Sequence, residues 1–162
     1  MSVLVDEKLK TSTVLELLNS GYKRKDLVKK IERVVRLSPE YQEWAKKKKQ
    51  EIGHCEWAGC VFQDEKAVKF TELEVHHYPQ TLFSLIDELL DDFLERTPLE
   101  LAQYVVDLHT SGAVPVLVLC HCHHWQFHKL RSFGLEPDPS IPMEEFIREI
   151  TRKDKDVPRI DQ

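Results

Sequence analysis

The chain has 162 residues, 41% of them hydrophobic and 31% charged, with a formal net charge of −5. That length suits one domain, or a small domain with a helical arm. No apolar run reaches the roughly 18 residues that a membrane-spanning helix needs, so no membrane contact of that kind is expected. The N-terminus, Met-Ser-Val-Leu-Val-Asp-Glu-Lys, does not read as a signal peptide, and an intracellular protein is expected. The charge is uneven: +6 over residues 1–50 and −11 over residues 51–162. A basic arm beside an acidic remainder suits contact with nucleic acid through the arm, and simple neutralisation of one part by the other accounts for the same numbers.

Thr13-Val-Leu-Glu16 has the form of a capping box and opens a short helix, Val14–Asn19, which Gly21 ends. A second helix is expected from Arg24 to Leu37, with Leu27, Val28, Ile31, Val34 and Val35 at helical spacing. The pair looks superficially like a helix-turn-helix. Pro39 breaks the pattern, and Glu40–Glu51 forms a third helix with Tyr41, Trp44 and Ala45 on one side and Lys46–Lys49 exposed. Beyond Cys55, Val61–Gln63 and Ala67–His76 read as two strands of a hairpin, with Leu73, Val75 and His77 of one parity and Glu74 and His76 of the other. Two helices follow. Leu82–Arg96 has a wide apolar face, and Leu99–Thr110 opens on the capping box Thr97-Pro-Leu-Glu100 and closes at Gly112. Together they read as a helical hairpin that serves as scaffold, its acidic residues Asp87, Glu88, Asp91 and Asp92 forming a solvated face. Ala113–Leu119 reads as a strand, with a helix starting near His121 and ending at Gly134. Pro137, Pro139 and Pro142 mark a linker before a short terminal helix, Met143–Arg152.

The chemistry is concentrated. Residues 120–128 hold two cysteines and four histidines in nine positions. On a helix starting near His121, residues 121, 124 and 128 share one face, and His124 with His128 makes the i, i+4 pair that commonly holds one metal ion. Cys120, with Cys122 or His123, stands at the strand end where a second ion would be held. The other two of the four cysteines are Cys55 and Cys60, in a C-x4-C turn with a Gly that allows tight folding back. His76 and His77 end the run Phe70–His77. Scattered core histidines would not cluster so, and metal binding is the reading. Two disulfides or free buried thiols are the alternative, and an intracellular protein disfavours the disulfides. Trp125 and Phe127 are expected in the core, and Trp57 against the C-x4-C turn.

The order Cys55-x4-Cys60, Leu73-Glu-Val-His-His77, then Leu119-Cys-x2-His-His-x3-His128 resembles the HNH (ββα-metal) nuclease family, and His76-His-Tyr-Pro79 is similar to a motif of small phage-encoded proteins. The resemblance implies a structural zinc on Cys55, Cys60 and Cys120, with His123 in the place of the family's fourth cysteine and Cys122 as its rival. It also implies a divalent ion, Mg²⁺, Mn²⁺ or zinc, on His76, His124 and His128, and His77 as the general base that activates water. The family's middle Asn has no counterpart, since the chain's only Asn is Asn19. His109 is the one residue considered for part of that role. The expected fold is α+β and mostly helical: a ββα-metal zinc core over residues 51–134 with a helical-hairpin insertion at 81–112, a basic arm over 1–50, and a linker, helix and tail over 135–162.

Two functions follow from the resemblance. One is a metal-dependent endonuclease acting on DNA, with the arm holding the substrate, in the host cytoplasm if phage-encoded. The other is a non-catalytic zinc module that binds DNA or a protein of the transcription, replication or packaging machinery. A zinc hydrolase or deaminase is disfavoured, because the His-x-Glu with Cys-x2-Cys and the His-Glu-x2-His signatures are absent.

Overall fold

The computed structural model describes residues 6–60 and 72–153. The described chain is mostly helical with one small sheet: α1 (Glu7–Thr11), α2 (Val14–Asn19), α3 (Arg24–Leu37), α4 (Pro39–Ile52), β1 (Leu73–His77), α5 (Leu82–Leu89), a 3-10 turn (Leu90–Phe93), α6 (Pro98–Thr110), β2 (Val116–Cys120), α7 (His121–Ser132) and α8 (Met143–Lys153). β1 and β2 pair as a two-stranded antiparallel sheet. Val61–Gln63 and most of the expected hairpin lie outside the described residues.

The chain divides into two compact units, residues 1–47 with 77–116, and residues 48–76 with 117–162. The first unit is built by α3, whose buried face (Leu27, Val28, Ile31 and Val35) packs on α5 and α6. Leu9, Val14 and Leu17 of α1 and α2 join the same core as Ile86, Leu101 and Val105. The described N-terminal helices thus share a core with α5 and α6. Apolar faces that strong on short helices are buried only by packing against other helices, and the expected insertion supplies them. Both expected capping boxes form: Thr13 with Glu16 and Thr97 with Glu100 each exchange side-chain and backbone bonds.

The acidic face of α5 is not merely solvated. Arg24 of α3 reaches Asp87 Oδ1 and Asp91 Oδ1, each at 2.6 Å, and also donates to the Asp87 backbone oxygen. That oxygen would accept from residue 91 in a continuing α-helix. Its use by Arg24 coincides with the change to 3-10 geometry at Leu90, where the sequence pattern ran on to Arg96. Lys47 and Lys48 lie near Glu43 and Glu51 of their own helix, at 3.9 and 3.5 Å.

The second unit has a smaller apolar core, in which Trp57, Leu73, Val118, Leu119 and Phe127 are buried together with Cys55, Cys60 and Cys120. No helix among the described residues is long and apolar enough to cross a membrane.

Candidate metal centres

The second unit gathers its cysteines through three short segments. Gly53, at φ +71°, ends α4 and turns the chain into the Cys55–Cys60 knuckle. Within it the Cys60 N–H donates to the Trp57 carbonyl at 3.1 Å, which closes the turn. Trp57 anchors the knuckle: its indole N–H donates to the Ile141 carbonyl at 3.0 Å, and its ring stacks on His123 at 5.3 Å. Glu56 ties the knuckle to β2, its N–H donating to the Val118 carbonyl at 2.8 Å and its carboxylate accepting from the Val118 N–H at 2.6 Å. Cys120 caps the start of α7, so that a residue three positions on returns to the same side of the helix.

That residue is His123. One ligand atom from each of Cys55, Cys60, Cys120 and His123 lies within 4.8 Å of all the others. His123 Nδ1 is 3.5 Å from Cys55 Sγ and 3.3 Å from Cys120 Sγ. A tetrahedral zinc with bonds of about 2.3 Å to sulfur and about 2.0 Å to nitrogen would hold such atoms about 3.5 Å apart. The donor set has the chemistry for that ion. Burial pushes the Cys55 thiol up to about 12, while hydrogen bonds from the Cys120 and Trp57 backbone pull the other way. Buried thiolates without a cation are costly, and a coordinated ion reverses the balance. Burial also lowers the pKa of His123, which favours the neutral imidazole that a metal requires. Cys122 is exposed and belongs to neither cluster among the described residues. Two positions beyond Cys120 on a helix, it faces away from the sulfurs.

A second cluster joins β1 to α7. One nitrogen from each of His76, His124 and His128 lies within 4.8 Å of the others. Glu74, which shares His76's face of the strand, lies 2.7 Å from His124 Nδ1 and hydrogen-bonds His121 Nδ1 at 2.6 Å. The sequence reading missed Glu74 as a member of this group, although its parity with His76 was visible. Burial, reinforced by the neighbouring imidazoles of His124 and His128, lowers the pKa of His76 to about 3.

His77 points elsewhere. Successive strand residues face opposite ways, and His77 sits in the first unit, buried with its Nε2 2.9 Å from His109 Nε2. His109 is itself fully buried, between Tyr41 and Trp44 at 5.2 and 4.9 Å, with Nδ1 2.6 Å from the Val105 carbonyl. A carbonyl only accepts, so His109 carries its proton on Nδ1 and accepts at Nε2, and His77 must donate from Nε2. Of the aromatic residues expected in the core, Phe127 is buried and Trp125 is 59% exposed. The inward stripe of α7 is taken by residues 120, 123, 124 and 127, and Trp125 falls outside it.

Among curated proteins and solved structures nothing matches this chain. A family model matches over residues 2–133, described as a bacteriophage G278-like virion protein. This overturns the resemblance to HNH nucleases and both functions drawn from it, the DNA endonuclease and the DNA- or machinery-binding HNH-like module. The water-activating role read for His77 came with that resemblance and goes with it; its Nε2 lies 2.9 Å from His109 Nε2. A phage origin, read from the His76–Pro79 motif, agrees with the match. The motifs misled because clustered Cys and His at such spacings are what any small metal knuckle needs, whatever the protein around it does. The match extends over most of the chain, and the chain belongs to the bacteriophage G278-like virion protein family.

Proposed function

We propose that this chain is a structural component of a phage particle, and that a zinc ion held by Cys55, Cys60, Cys120 and His123 keeps its second unit folded. The family match over residues 2–133 carries the virion assignment. The zinc is supported by the donor set: three buried sulfurs and one imidazole, converging from a knuckle, a strand end and the first turn of a helix. Three thiolates and an imidazole suit zinc and leave no position open for chemistry, which is the pattern of a structural site. Such an ion contributes folding energy directly, on the order of 10–16 kcal/mol of apparent binding in small zinc domains. Its partners on this reading are other proteins of the particle.

Two measurements test the two halves. Mass spectrometry of gradient-purified particles of a phage encoding this chain should find it at a fixed copy number. Its presence in infected cells but absence from particles would end the virion reading. Metal analysis of the purified chain should find a zinc ion that Cys60→Ser loses. Undiminished zinc in that variant would show that the donor set is wrong.

A further inference from the structure

We infer that His76, His124 and His128 form a second metal site, separate from the thiolate zinc, which takes a divalent transition-metal ion such as Zn²⁺, Co²⁺ or Ni²⁺ and leaves a coordination position open. Four observations converge on it. The Nε2 atoms of His124 and His128 stand 3.2 Å apart. Ion–nitrogen bonds of about 2.0–2.1 Å at tetrahedral angles would place them about 3.3 Å apart. The three rings are evenly spaced and nearly perpendicular in pairs: 5.1 Å for His76–His124, 5.0 Å for His76–His128 and 4.7 Å for His124–His128, at 73°, 75° and 86°. One nitrogen of each ring lies within 4.8 Å of the others, so a single ion is compatible with these spacings.

The protonation pattern supplies the third observation. Glu74 Oε2 lies 2.7 Å from His124 Nδ1, a contact that favours a proton on Nδ1, and His124 Nε2 is within hydrogen-bond distance of His128 Nε2. A carboxylate behind a ligand histidine fixes its tautomer and strengthens it as a donor. Fourth, His76 Nε2 is buried and has no hydrogen-bond partner among the described residues. A buried polar nitrogen left unsatisfied is costly, and an ion at the centre of the three rings would satisfy it.

The ligand set selects the ion. Three nitrogens and no oxygen suit borderline transition metals, while Mg²⁺ and Ca²⁺ demand oxygen donors. Of the ions that the nuclease resemblance implied, this favours zinc over Mg²⁺ and Mn²⁺. His128 is exposed, so one side of the ion faces out of the unit, and a water or another donor completes the shell there. The site would link β1 to α7, which already supplies His123 to the thiolate cluster from the adjacent position. One helix turn thus serves two ions, with His123 and His124 directed about 100° apart.

The test is a Co²⁺ titration of the full-length, metal-free chain, followed by absorption and by metal counting after dialysis. Two equivalents are expected. One gives a thiolate-to-cobalt charge-transfer band and the other only ligand-field bands. His128→Ala, at an exposed position, should remove the second ion and keep the charge-transfer band. Glu74→Gln should weaken the second ion by about 10–100-fold and leave the first unchanged. Saturation of the wild type at the charge-transfer equivalent alone, or a second equivalent that survives both His128→Ala and His124→Ala, would overturn the inference. Loss of the charge-transfer band with the ligand-field equivalent retained would instead count against the thiolate zinc, so the two sites fail separately.

Discussion

Gly59 shows what the knuckle asks of one residue. It sits at φ +70°, and a Cβ placed there would lie 3.2 Å from the Pro142 ring. Both the left-handed backbone and the close approach favour glycine. Gly59→Ala is expected to destabilise the second unit by about 1–2 kcal/mol from backbone strain alone. The zinc-loaded chain's denaturation midpoint checks this, and an unchanged midpoint would mean that the turn relaxes freely. His109 carries a different expectation. Burial lowers its folded pKa below the ordinary 6.5, with Arg36 adding to the shift and the Val105 carbonyl opposing it. The unfolded chain then binds a proton that the folded chain refuses. The stability is present in full above pH 6.5 and is lost as the pH falls from there toward the lowered folded value. Comparing denaturant midpoints at about pH 7.5 and about pH 5.5 should show a smaller difference in His109→Gln than in the wild type. An equal difference in the two would place the acid sensitivity in other groups. That His109 faces His77 could not be read from the sequence, because the two are brought together only by helix packing, and neither lies in the other's local pattern.

The helices illustrate which local signals suffice. α2, α3, α6 and α7 begin and end within a residue or so of where caps, glycines and apolar spacing place them. Thr97 bonds the Glu100 N–H at 3.2 Å, and Glu100 bonds back to the Thr97 N–H at 2.8 Å. Thr97→Ala is expected to cost about 1 kcal/mol, read as a lowered midpoint in urea, with the metal content unchanged. No change would mean that Pro98 and tertiary packing hold the first turn unaided. Two helices departed from the pattern. α1 is a five-residue helix, too short to show a periodicity, and is capped by Asp6. α5 stops at Leu89 although its apolar spacing continues, with Arg24 occupying the carbonyl that the next turn would use. The first lies below the length at which spacing carries information. The second coincides with a contact from a residue 63 positions away.

The two units differ in what holds them. The first buries Leu27, Val28, Ile31, Val35, Ile86, Leu101 and Val105 essentially completely, each such side chain contributing about 1.5–3 kcal/mol. The second has fewer apolar groups and three buried thiols in its centre. A strong chelator is therefore expected to unfold residues 48–60 and 117–132, seen as a rise in amide hydrogen exchange, while α3 and α6 keep their protection. Uniform loss of protection would show that the first unit depends on the ions as well. Unchanged protection throughout would show that the second unit folds without metal.

By itself the sequence determined the ends of α2, α3 and α6, through caps and apolar spacing, and the concentration of Cys and His in three short segments, because both are written in residues near one another in the chain. The tertiary structure decided which side chains gather: of the rivals His123 and Cys122 it sets His123 beside the three sulfurs, it brings His76 to His124 and His128, and it turns His77 to His109. It also decided that the N-terminal helices share a core with α5 and α6. Helix phase, the two faces of β1 and the apolar faces are each legible locally, but which face meets which is set by segments distant in the chain, and that pairing has no local signature.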